Sequence, residues 1–377
     1  MNPLRSRLAV SSLFFFHGLC FASWGARIPA IQEMHGLSEA ALGSVLLSIP
    51  VGSFISMPIA PMLVSRFGSK KILLIAICFY AVFLLGLGLA PSLLKLVLAL
   101  VFYGIASNLV NVSLNTQAID IENIYGRTIM SAFHGLWSLA GFVGAFIGSL
   151  MISTMVSPDK HFAIIMGIVL LGTFISGPFL LKDIPKAERV IAKAFVMPDK
   201  SLVLLGVISF LSMFCEGAMF DWSGIYFKKI VGASGGLVAA GYVAFMTTMA
   251  GTRFIADGFK VRFGFKKVLR FSGVFIFAGL LLSVIMPTFY PSLIGFLLVG
   301  SGVSAIVPLC FSEAGKSKKM SPSAAIASVS TLGFLGFLLG PPLIGWVAGA
   351  SSLRVSFFLV SLMGLTITFL SSRAPEA

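Results

Sequence analysis

Apolar runs follow one another along almost the whole chain, with only short polar stretches between them. A helix needs about 20 consecutive apolar residues to cross the hydrocarbon core of a bilayer. Of the 377 residues, 58% are hydrophobic and 11% are charged, and the mean hydropathy is +1.02. No soluble fold requires so much apolar surface. The sequence therefore predicts an all-α membrane protein.

We predict twelve membrane-spanning helices in two sets of six. Their approximate bounds are 8–31, 40–63, 71–90, 92–118, 129–155, 161–181, 202–227, 236–259, 267–286, 291–313, 323–349 and 352–370. The predicted domains are an N-terminal half at 1–181, a polar linker at 182–200 and a C-terminal half at 201–377. The linker is too short to hold a further soluble domain.

A short basic loop occurs once in each half. Five residues recur at an offset of 196: Arg66, Phe67, Gly68, Lys70 and Lys71 return as Arg262, Phe263, Gly264, Lys266 and Lys267. Both copies lie between two long apolar segments. A repeat of this period that is not a solenoid is typical of a duplicated membrane bundle.

The distribution of Lys and Arg orients the predicted helices. Twenty of these residues lie on the side of the termini and linker, five lie on the other side, and Arg27 and Arg253 lie within spans. The positive-inside rule then places both termini in the cytoplasm, and we predict a bacterial inner-membrane protein. The same rule accounts for the net charge of +14 without a nucleic-acid partner.

Motifs for bound cofactors and for catalysis are missing from the sequence. The four cysteines, Cys20, Cys78, Cys215 and Cys310, fall inside apolar runs and are expected to be core residues. We find no nucleotide-binding loop, zinc motif or nucleophile elbow. We therefore predict no metal, no cofactor and no enzymatic activity.

Glu216 lies near the middle of the seventh predicted span, and Asp221 lies five residues further along. A charge at the bilayer centre costs about 2.5–3.5 kcal/mol on insertion scales, so such residues usually serve a function. No basic residue stands within a turn or two of Glu216. We predict that its carboxyl binds a proton or the substrate, with Asp221 as the next candidate. The alternative is a neutral carboxyl hydrogen-bonded between helices.

Arg27 lies in the outer part of the first span, and Asp221 lies in the outer half of the equivalent helix of the second half. One hypothesis is an ion pair that closes an outer gate when the protein faces inward. The other is that Arg27 extends to the membrane interface while Asp221 is bonded locally.

Three asparagines of the fourth span, Asn108, Asn111 and Asn115, share one helical face. Amides both donate and accept hydrogen bonds, which suits a neutral polyhydroxyl ligand. The alternative is that they hold neighbouring helices together.

Aromatic and imidazole side chains form a second set of candidates for the substrate cavity. They are His17 and Trp24 with Arg27 on the first span, His134 and Trp137 on the fifth, and Trp222 on the seventh. The indoles could stack on a sugar-like ring, although aromatic helix packing and interfacial belts are common alternatives.

Arg253 and Asp257, spaced i and i+4 in the eighth span, can pair with each other or clamp neighbouring helices. We assign them to a cytoplasmic gate. The basic loops supply its other members, which are Arg66, Gly68, Lys70, Lys71, Arg262, Gly264 and Lys266.

The repeated loop resembles the motif Gly-x-x-x-Asp-Arg-x-Gly-x-Lys/Arg-Lys/Arg of the major facilitator superfamily, and the resemblance extends over nearly the whole chain. It implies twelve helices in two pseudo-symmetric halves. The first copy departs from the motif, because Ser65 replaces the acid and Pro61 the glycine, and the second has its acid earlier, at Asp257. The gating role of that acid is therefore not carried over to the first half.

A narrower resemblance is to the inner-membrane permeases related to MosC and YbjJ, distant relatives of the fucose permease. It is carried by the segments 24–30, 111–117, 133–139, 216–222 and 340–345. The resemblance implies an aspartate at the position of Asn111. If that acid carries a proton in the relatives, this chain has lost it.

The sequence thus predicts a monomeric secondary transporter that works by alternating access and is embedded in membrane lipid. Its partners would be a small sugar- or cyclitol-like solute and a proton or another coupling ion. One alternative is an efflux pump for amphipathic compounds, because the 36 Phe residues allow an apolar cavity. An alternative of another class is a membrane enzyme or lipid scramblase.

Overall fold

The computed structural model describes residues 3–126, 129–182, 199–317, 319–320 and 322–374. Within these ranges the chain forms helices and turns and contains no β-strand. The predicted linker 182–200 lies almost entirely outside the described residues.

The described residues form fourteen α-helices. They are α1 Pro3–Met34, α2 Glu39–Leu46, α3 Ser48–Ser56, α4 Ile59–Phe67, α5 Ser69–Leu89, α6 Leu93–Tyr125, α7 Met130–Ser153, α8 Pro158–Ser176, α9 Lys200–Lys229, α10 Ala240–Phe263, α11 Phe265–Ile285, α12 Phe289–Ala314, α13 Pro322–Ala350 and α14 Leu353–Leu370. Short 3₁₀ turns follow α8 at Gly177–Phe179 and α14 at Ser371–Arg373 and precede α10 at Gly235–Ala239.

The all-α membrane fold is confirmed. Eleven helical stretches of the described chain are long and apolar enough to cross a membrane. The eighth predicted span is also helical, as the 24-residue α10. Its second half carries Arg253, Asp257, Lys260 and Arg262, and α10 is not among those eleven stretches.

The second predicted span, 40–63, is not one continuous helix. It is divided into α2, α3 and α4. Pro50, Pro58 and Pro61 explain the breaks, because a proline lacks the backbone N–H and its ring clashes with the carbonyl four residues earlier. The carbonyls affected belong to Leu46, Phe54 and Met57, at or near the two breaks.

The chain divides into two compact units. Unit 1 comprises Met1–His35 and Ser48–Ala192, and unit 2 comprises Gly36–Leu47 and Lys193–Ala377. The short helix α2 therefore belongs to unit 2, although it lies in the N-terminal half of the sequence. The break before Pro50 allows α2 and α3 to pack in different units.

In unit 1, α1 packs against α7 and α8, and α6 packs against α3 and α5. The rings of Tyr80 in α5 and Tyr103 in α6 stack with their centroids 4.3 Å apart. Both side chains are completely buried. These contacts determine how α1 and α6 are oriented, and these two helices carry most of the predicted polar residues.

In unit 2, α9 packs against α13, α12 and α14, while α10 packs against α12 and α11 against α12 and α14. The helix α2 lies against α13 at Gly43 and Gly345. A Cβ atom added at Gly43 would lie 2.9 Å from the Cα of Gly345, so the two backbones approach too closely for a larger side chain.

Candidate functional site

The buried acid of α9 has a basic partner. Glu216, 8% exposed, lies near the middle of the helix, and its Oε1 is 3.5 Å from Nη2 of Arg253 in α10. The carboxyl, which has no basic residue within a turn or two on its own helix, is therefore paired. The partner comes from the neighbouring helix, where a search along α9 alone does not find it. The signal that could have indicated the pair is that an acidic residue, Glu216, and a basic residue, Arg253, both lie within predicted spans of the C-terminal half.

The same contact changes the expected role of Arg253, which the sequence analysis assigned to a gate with Asp257. Its guanidinium is held close to Glu216, inside unit 2. The side chain of Asp257 lies outside the described residues. Asp221 is partly exposed and forms no hydrogen bond or ion pair with any residue that the structure describes.

Arg27 is buried, with 3% of its surface exposed, and its hydrogen bonds lie within unit 1. Nε donates to Nδ1 of His161 at 3.1 Å, and Nη2 donates to the carbonyl oxygen of Val156 at 2.8 Å. The guanidinium thus ties α1 to the start of α8, and the ion pair with Asp221 stays a hypothesis. The sequence alone does not indicate that His161 and the carbonyl of Val156, in the loop before α8, accept hydrogen bonds from this guanidinium.

His17 lies at the centre of a polar and aromatic cluster in unit 1. Its Nε2 is 3.0 Å from Oγ of Ser107 in α6. The ring centroid of Trp137 in α7 is 6.5 Å from that of His17 and 5.8 Å from that of Phe21. Sequence reasoning missed Ser107, although Ser107, Asn111 and Asn115 are spaced by four residues and share a helical face.

The three asparagines of α6 have two kinds of hydrogen-bond partner, one on another helix and one on α6 itself. Asn108 donates to Oγ of Ser56 in α3 at 2.8 Å, which makes it a link between helices, as the alternative interpretation had it. Asn115 donates to the backbone carbonyl of Asn111 at 2.9 Å and to its side-chain oxygen. Asn111 is exposed, so its amide is the most accessible of the three.

The remaining predicted cavity residues differ in exposure. His134 is exposed and meets the ring of Phe14 edge-on, with the centroids 5.4 Å apart. Trp24 and Trp222 are 1% and 0% exposed. Neither indole N–H has a hydrogen-bond partner among the described atoms. Since both indoles are buried, helix packing describes them better than ligand stacking does in this structure.

The two basic loops have the same backbone conformation. Gly68 ends α4 with φ 88° and ψ 150°, and Gly264 ends α10 with φ 82° and ψ 156°. Each glycine is followed at once by a 21-residue helix, α5 or α11. The guanidinium groups of Arg66 and Arg262 lie over the ring of the next phenylalanine, 5.2 and 5.4 Å from the centroid. The sequence repeat is thus a structural repeat.

Lysines near helix ends have different partners in the two units. Lys70 Nζ donates to the carbonyl oxygens of Pro178 and Leu180, each at 3.4 Å, after the last turn of α8. In unit 2, Lys260 pairs with Glu313 at 3.4 Å, and Lys316 pairs with the same carboxylate at 3.0 Å. Both arrangements hold helix ends together.

Polar contacts also join α2 to unit 2. Lys229 Nζ at the end of α9 lies 2.6 Å from Oε1 of Glu39, and the indole N–H of Trp346 donates to Oγ of Ser44 at 3.0 Å. Sequence reasoning missed these four residues. Each lies near a helix end or on an apolar span, and only the packing of α2 on α13 brings them together.

Comparison with known proteins identifies the family. The family model described as Major Facilitator Superfamily matches residues 10–321. The chain is 32% identical to an uncharacterised transporter of Sinorhizobium fredii, over 96% of both chains. It is 32% identical to an uncharacterised MFS-type transporter of Yersinia pestis, over 94% of this chain and 92% of that protein. It is 29% identical to the membrane protein MosC of Rhizobium meliloti, over 95% and 88% of the two chains.

Solved structures share the fold at low sequence identity. A bacterial homologue of the human lysosomal transporter Spinster, in an inward-facing and occupied conformation, has a TM-score of 0.76 and 15% identity, over 100% of this chain and 98% of that chain. The nucleoside transporter NupG has a TM-score of 0.72 and 16% identity, over 99% of both chains. Fold, repeated loops and sequence relatives agree, and the chain is a multi-pass membrane transporter that belongs to the Major Facilitator Superfamily.

Proposed function

We propose that the protein is a proton-coupled secondary transporter that moves a small, polar, sugar- or cyclitol-like solute by alternating access. The observation that carries this proposal is the pair formed by Glu216 of α9 and Arg253 of α10, with Oε1 and Nη2 3.5 Å apart. An intramembrane ion pair is costly and is usually retained for a function.

The pair offers a proton-binding group with two defined states. With Glu216 ionised, its carboxylate holds the guanidinium of Arg253. When Glu216 binds a proton, the attraction between opposite charges is lost, and the guanidinium is held less tightly to the carboxyl. When the affinity for the substrate depends on this change, proton binding and substrate binding influence each other, because linkage between two binding events is reciprocal. The movement of the solute is then coupled to the proton gradient.

The residues of unit 1 support a neutral, hydroxylated solute. His17, Ser107 and Asn111 supply donors and acceptors, and His17 and Ser107 are already 3.0 Å apart. The partly exposed ring of Trp137 beside them offers a face for the apolar side of a sugar-like ring. An ionised substrate would need a charged partner, and none of these four side chains is a carboxylate, a lysine or an arginine.

We further propose a bacterial inner-membrane location with both termini in the cytoplasm, on the strength of the Lys and Arg distribution. Reporter fusions in the segment 182–200 and at the C-terminus should both indicate the cytoplasm, and a fusion between α7 and α8 should indicate the periplasm. A periplasmic signal from the linker or the C-terminus would contradict the orientation.

The coupling proposal is tested with purified protein in proteoliposomes and a panel of labelled sugars and cyclitols. Glu216→Gln imitates the protonated carboxyl with nearly the same shape. It should abolish accumulation driven by a pH gradient and preserve exchange of labelled for unlabelled solute, because exchange requires no net proton movement.

A matched control is Glu313→Gln. It removes another buried carboxyl of unit 2, which is paired with lysines and not with an arginine. Its ratio of accumulation to exchange, per folded molecule, should equal that of the parent protein. Normal accumulation by Glu216→Gln would refute the coupling role. If no sugar or cyclitol is exchanged but the parent protein lowers the drug sensitivity of a knockout strain, the efflux alternative is favoured.

A further inference from the structure

A basic crevice lies in unit 2 where the start of α11 meets the 3₁₀ turn after α14. It has a volume of about 240 Å³, and its lining consists of Lys266, Lys267, Arg270 and Ser372. Lys267, Arg270 and Ser372 are exposed, and Lys266 is partly exposed. Three cationic side chains and one hydroxyl therefore surround one open space, without a carboxylate among them.

Two of the three cationic side chains have no partner within the described part of the chain. Lys267 and Arg270 form no ion pair or hydrogen bond with any described residue. Like charges held close together repel each other, and the repulsion is greater beside an apolar surface than in bulk water. A bound anion with several acceptor oxygens would relieve it, because lysine and arginine donate charge-assisted hydrogen bonds to such oxygens. The hydroxyl of Ser372 donates to the carbonyl oxygen of Phe369 at 2.9 Å, so it would have to turn away from that carbonyl to join them.

The corresponding place in unit 1 is closed. At the repeat offset of 196, the position of Arg270 is occupied by Leu74, and the position of Lys266 by Lys70. Leu74 fills the space beside the 3₁₀ turn after α8, since a Cβ atom at Gly177 would lie 3.0 Å from Leu74 Cδ2. Lys70 is engaged by two backbone carbonyls of that turn. The open basic crevice is thus particular to the second copy.

Apolar surface begins directly beside the crevice. Phe271, which follows Arg270, is 56% exposed, and Phe369, three residues before Ser372, is 68% exposed. Val274 and Phe275, one turn further along α11, are each 40% exposed. In a membrane these side chains face acyl chains, so a ligand with an anionic head and an apolar tail meets both surfaces at once.

We propose that this crevice binds the phosphate headgroup of an anionic phospholipid, with the acyl chains lying along α11 and α14. The proposal rests on the orientation given above, which places the crevice on the cytoplasmic side. Basic pockets between membrane helices on that side are suited to anionic headgroups. A free phosphate anion shares the headgroup chemistry and lacks the tail, so the two ligands can be separated by experiment.

The test uses the full-length protein in detergent, with the bound lipid counted by native mass spectrometry and the melting temperature followed in parallel. Phosphatidylglycerol should remain bound and raise the melting temperature, while phosphatidylcholine with the same acyl chains should do neither. Arg270→Leu, which copies the residue of unit 1, and Lys267→Gln should each weaken phosphatidylglycerol binding about fivefold, in line with about 1 kcal/mol per basic residue near an anionic surface.

Two variants separate a specific site from a general effect of charge. Lys71→Gln removes the matching exposed lysine of unit 1 and should leave lipid binding unchanged, and Arg270→Lys should retain most of it. Equal binding of phosphatidylcholine, or equal loss in Lys71→Gln, would overturn the proposal. So would a stabilisation that inorganic phosphate or glycerol 3-phosphate reproduces in full, which would identify a site for a free anion.

Discussion

The first helices of the two sequence halves, α1 in unit 1 and α9 in unit 2, carry different chemistry. When Trp24 is aligned with Trp222, Glu216 corresponds to Gly18. At Gly18 a Cβ atom would lie 2.5 Å from the carbonyl oxygen of Trp137 in α7, so the close approach of the helices leaves no room for a side chain. At Glu216 the neighbouring helix instead contributes Arg253.

The difference extends to the two arginines that lie within predicted spans, Arg27, which is buried, and Arg253, which is partly exposed. Arg27 in unit 1 donates to an imidazole and a backbone carbonyl, which are neutral acceptors. Arg253 in unit 2 faces a carboxylate that can bind a proton. The duplicated scaffold therefore carries a neutral polar cluster in one unit and a titratable pair in the other, which is the division of labour proposed for substrate binding and coupling.

The largest effect is expected when the two arginines are compared by substitution. Arg253→Gln leaves Glu216 without its partner, and the buried carboxyl should then retain its proton throughout the cycle. Accumulation should be lost and exchange retained, as in Glu216→Gln. Arg27→Gln should reduce the amount of folded protein and leave the ratio of accumulation to exchange unchanged for the molecules that fold. A coupling defect of the same size in both variants would contradict the division between the units.

The duplicated helical scaffold could be predicted from the sequence because its signals are local. Apolar length and the repeated loop each depend on neighbouring residues, and the fold that they predict is the one observed. The pairing of Glu216 with Arg253, the bond from Asn108 to Ser56 and the packing of α2 on α13 depend on which helices become neighbours. Periodicity places a residue on a helical face, and it does not say which helix meets that face.

The breaks in the second predicted span illustrate the same limit. Pro50, Pro58 and Pro61 were visible, and their effect on a helix is local. That the segment before the first break packs in unit 2 follows from tertiary contacts of Gly43 and Gly345. Hydropathy averaged over a span cannot show a change of packing partner within it.

The second prediction concerns the shared loop conformation. Gly264 has φ 82° and ψ 156°, a region that is accessible essentially to glycine alone. Gly264→Ala should lower the stability of the purified protein by about 1–3 kcal/mol. Gly68→Ala should do the same, because Gly68 has nearly the same angles. Thermal unfolding of both variants in one detergent measures the effect.

A control for the loop glycines is available one and a half turns earlier. Gly258 lies within α10, and among the described atoms a Cβ atom there would have no heavy atom within 4 Å apart from its local backbone. Gly258→Ala should therefore be neutral or stabilising, by up to about 1 kcal/mol, because alanine favours the helix. A loss of stability in Gly258→Ala equal to that in Gly264→Ala would argue against backbone strain as the cause.

The third prediction tests the polar cluster of unit 1. Asn111→Leu should weaken solute binding by about 0.5–1.5 kcal/mol, the usual net contribution of a hydrogen bond, with little change in folded yield. Asn108→Leu should instead lower the folded yield, because it breaks the bond to the buried Ser56. Binding is measured calorimetrically with the solute found in the transport panel. Normal binding by Asn111→Leu would make the amides structural and remove much of the support for a hydroxylated solute.

The smallest effect is expected where α2 joins unit 2. The side chains of Lys229 and Glu39 are 40% and 26% exposed, and an ion pair that exposed usually contributes about 0.2–1 kcal/mol. Lys229→Gln and Glu39→Gln should therefore speed the hydrogen exchange of the backbone amides at 39–47 by no more than about fivefold, while the amides of α3 exchange as before. The double variant Glu39→Lys with Lys229→Glu should restore slow exchange, because it reverses both charges and keeps the attraction. High salt should reduce the difference between the parent and single variants, since it screens exposed charges. If the double variant exchanges as fast as the single ones, the close packing of Gly43 on Gly345 holds α2 in place, and the charges contribute nothing measurable.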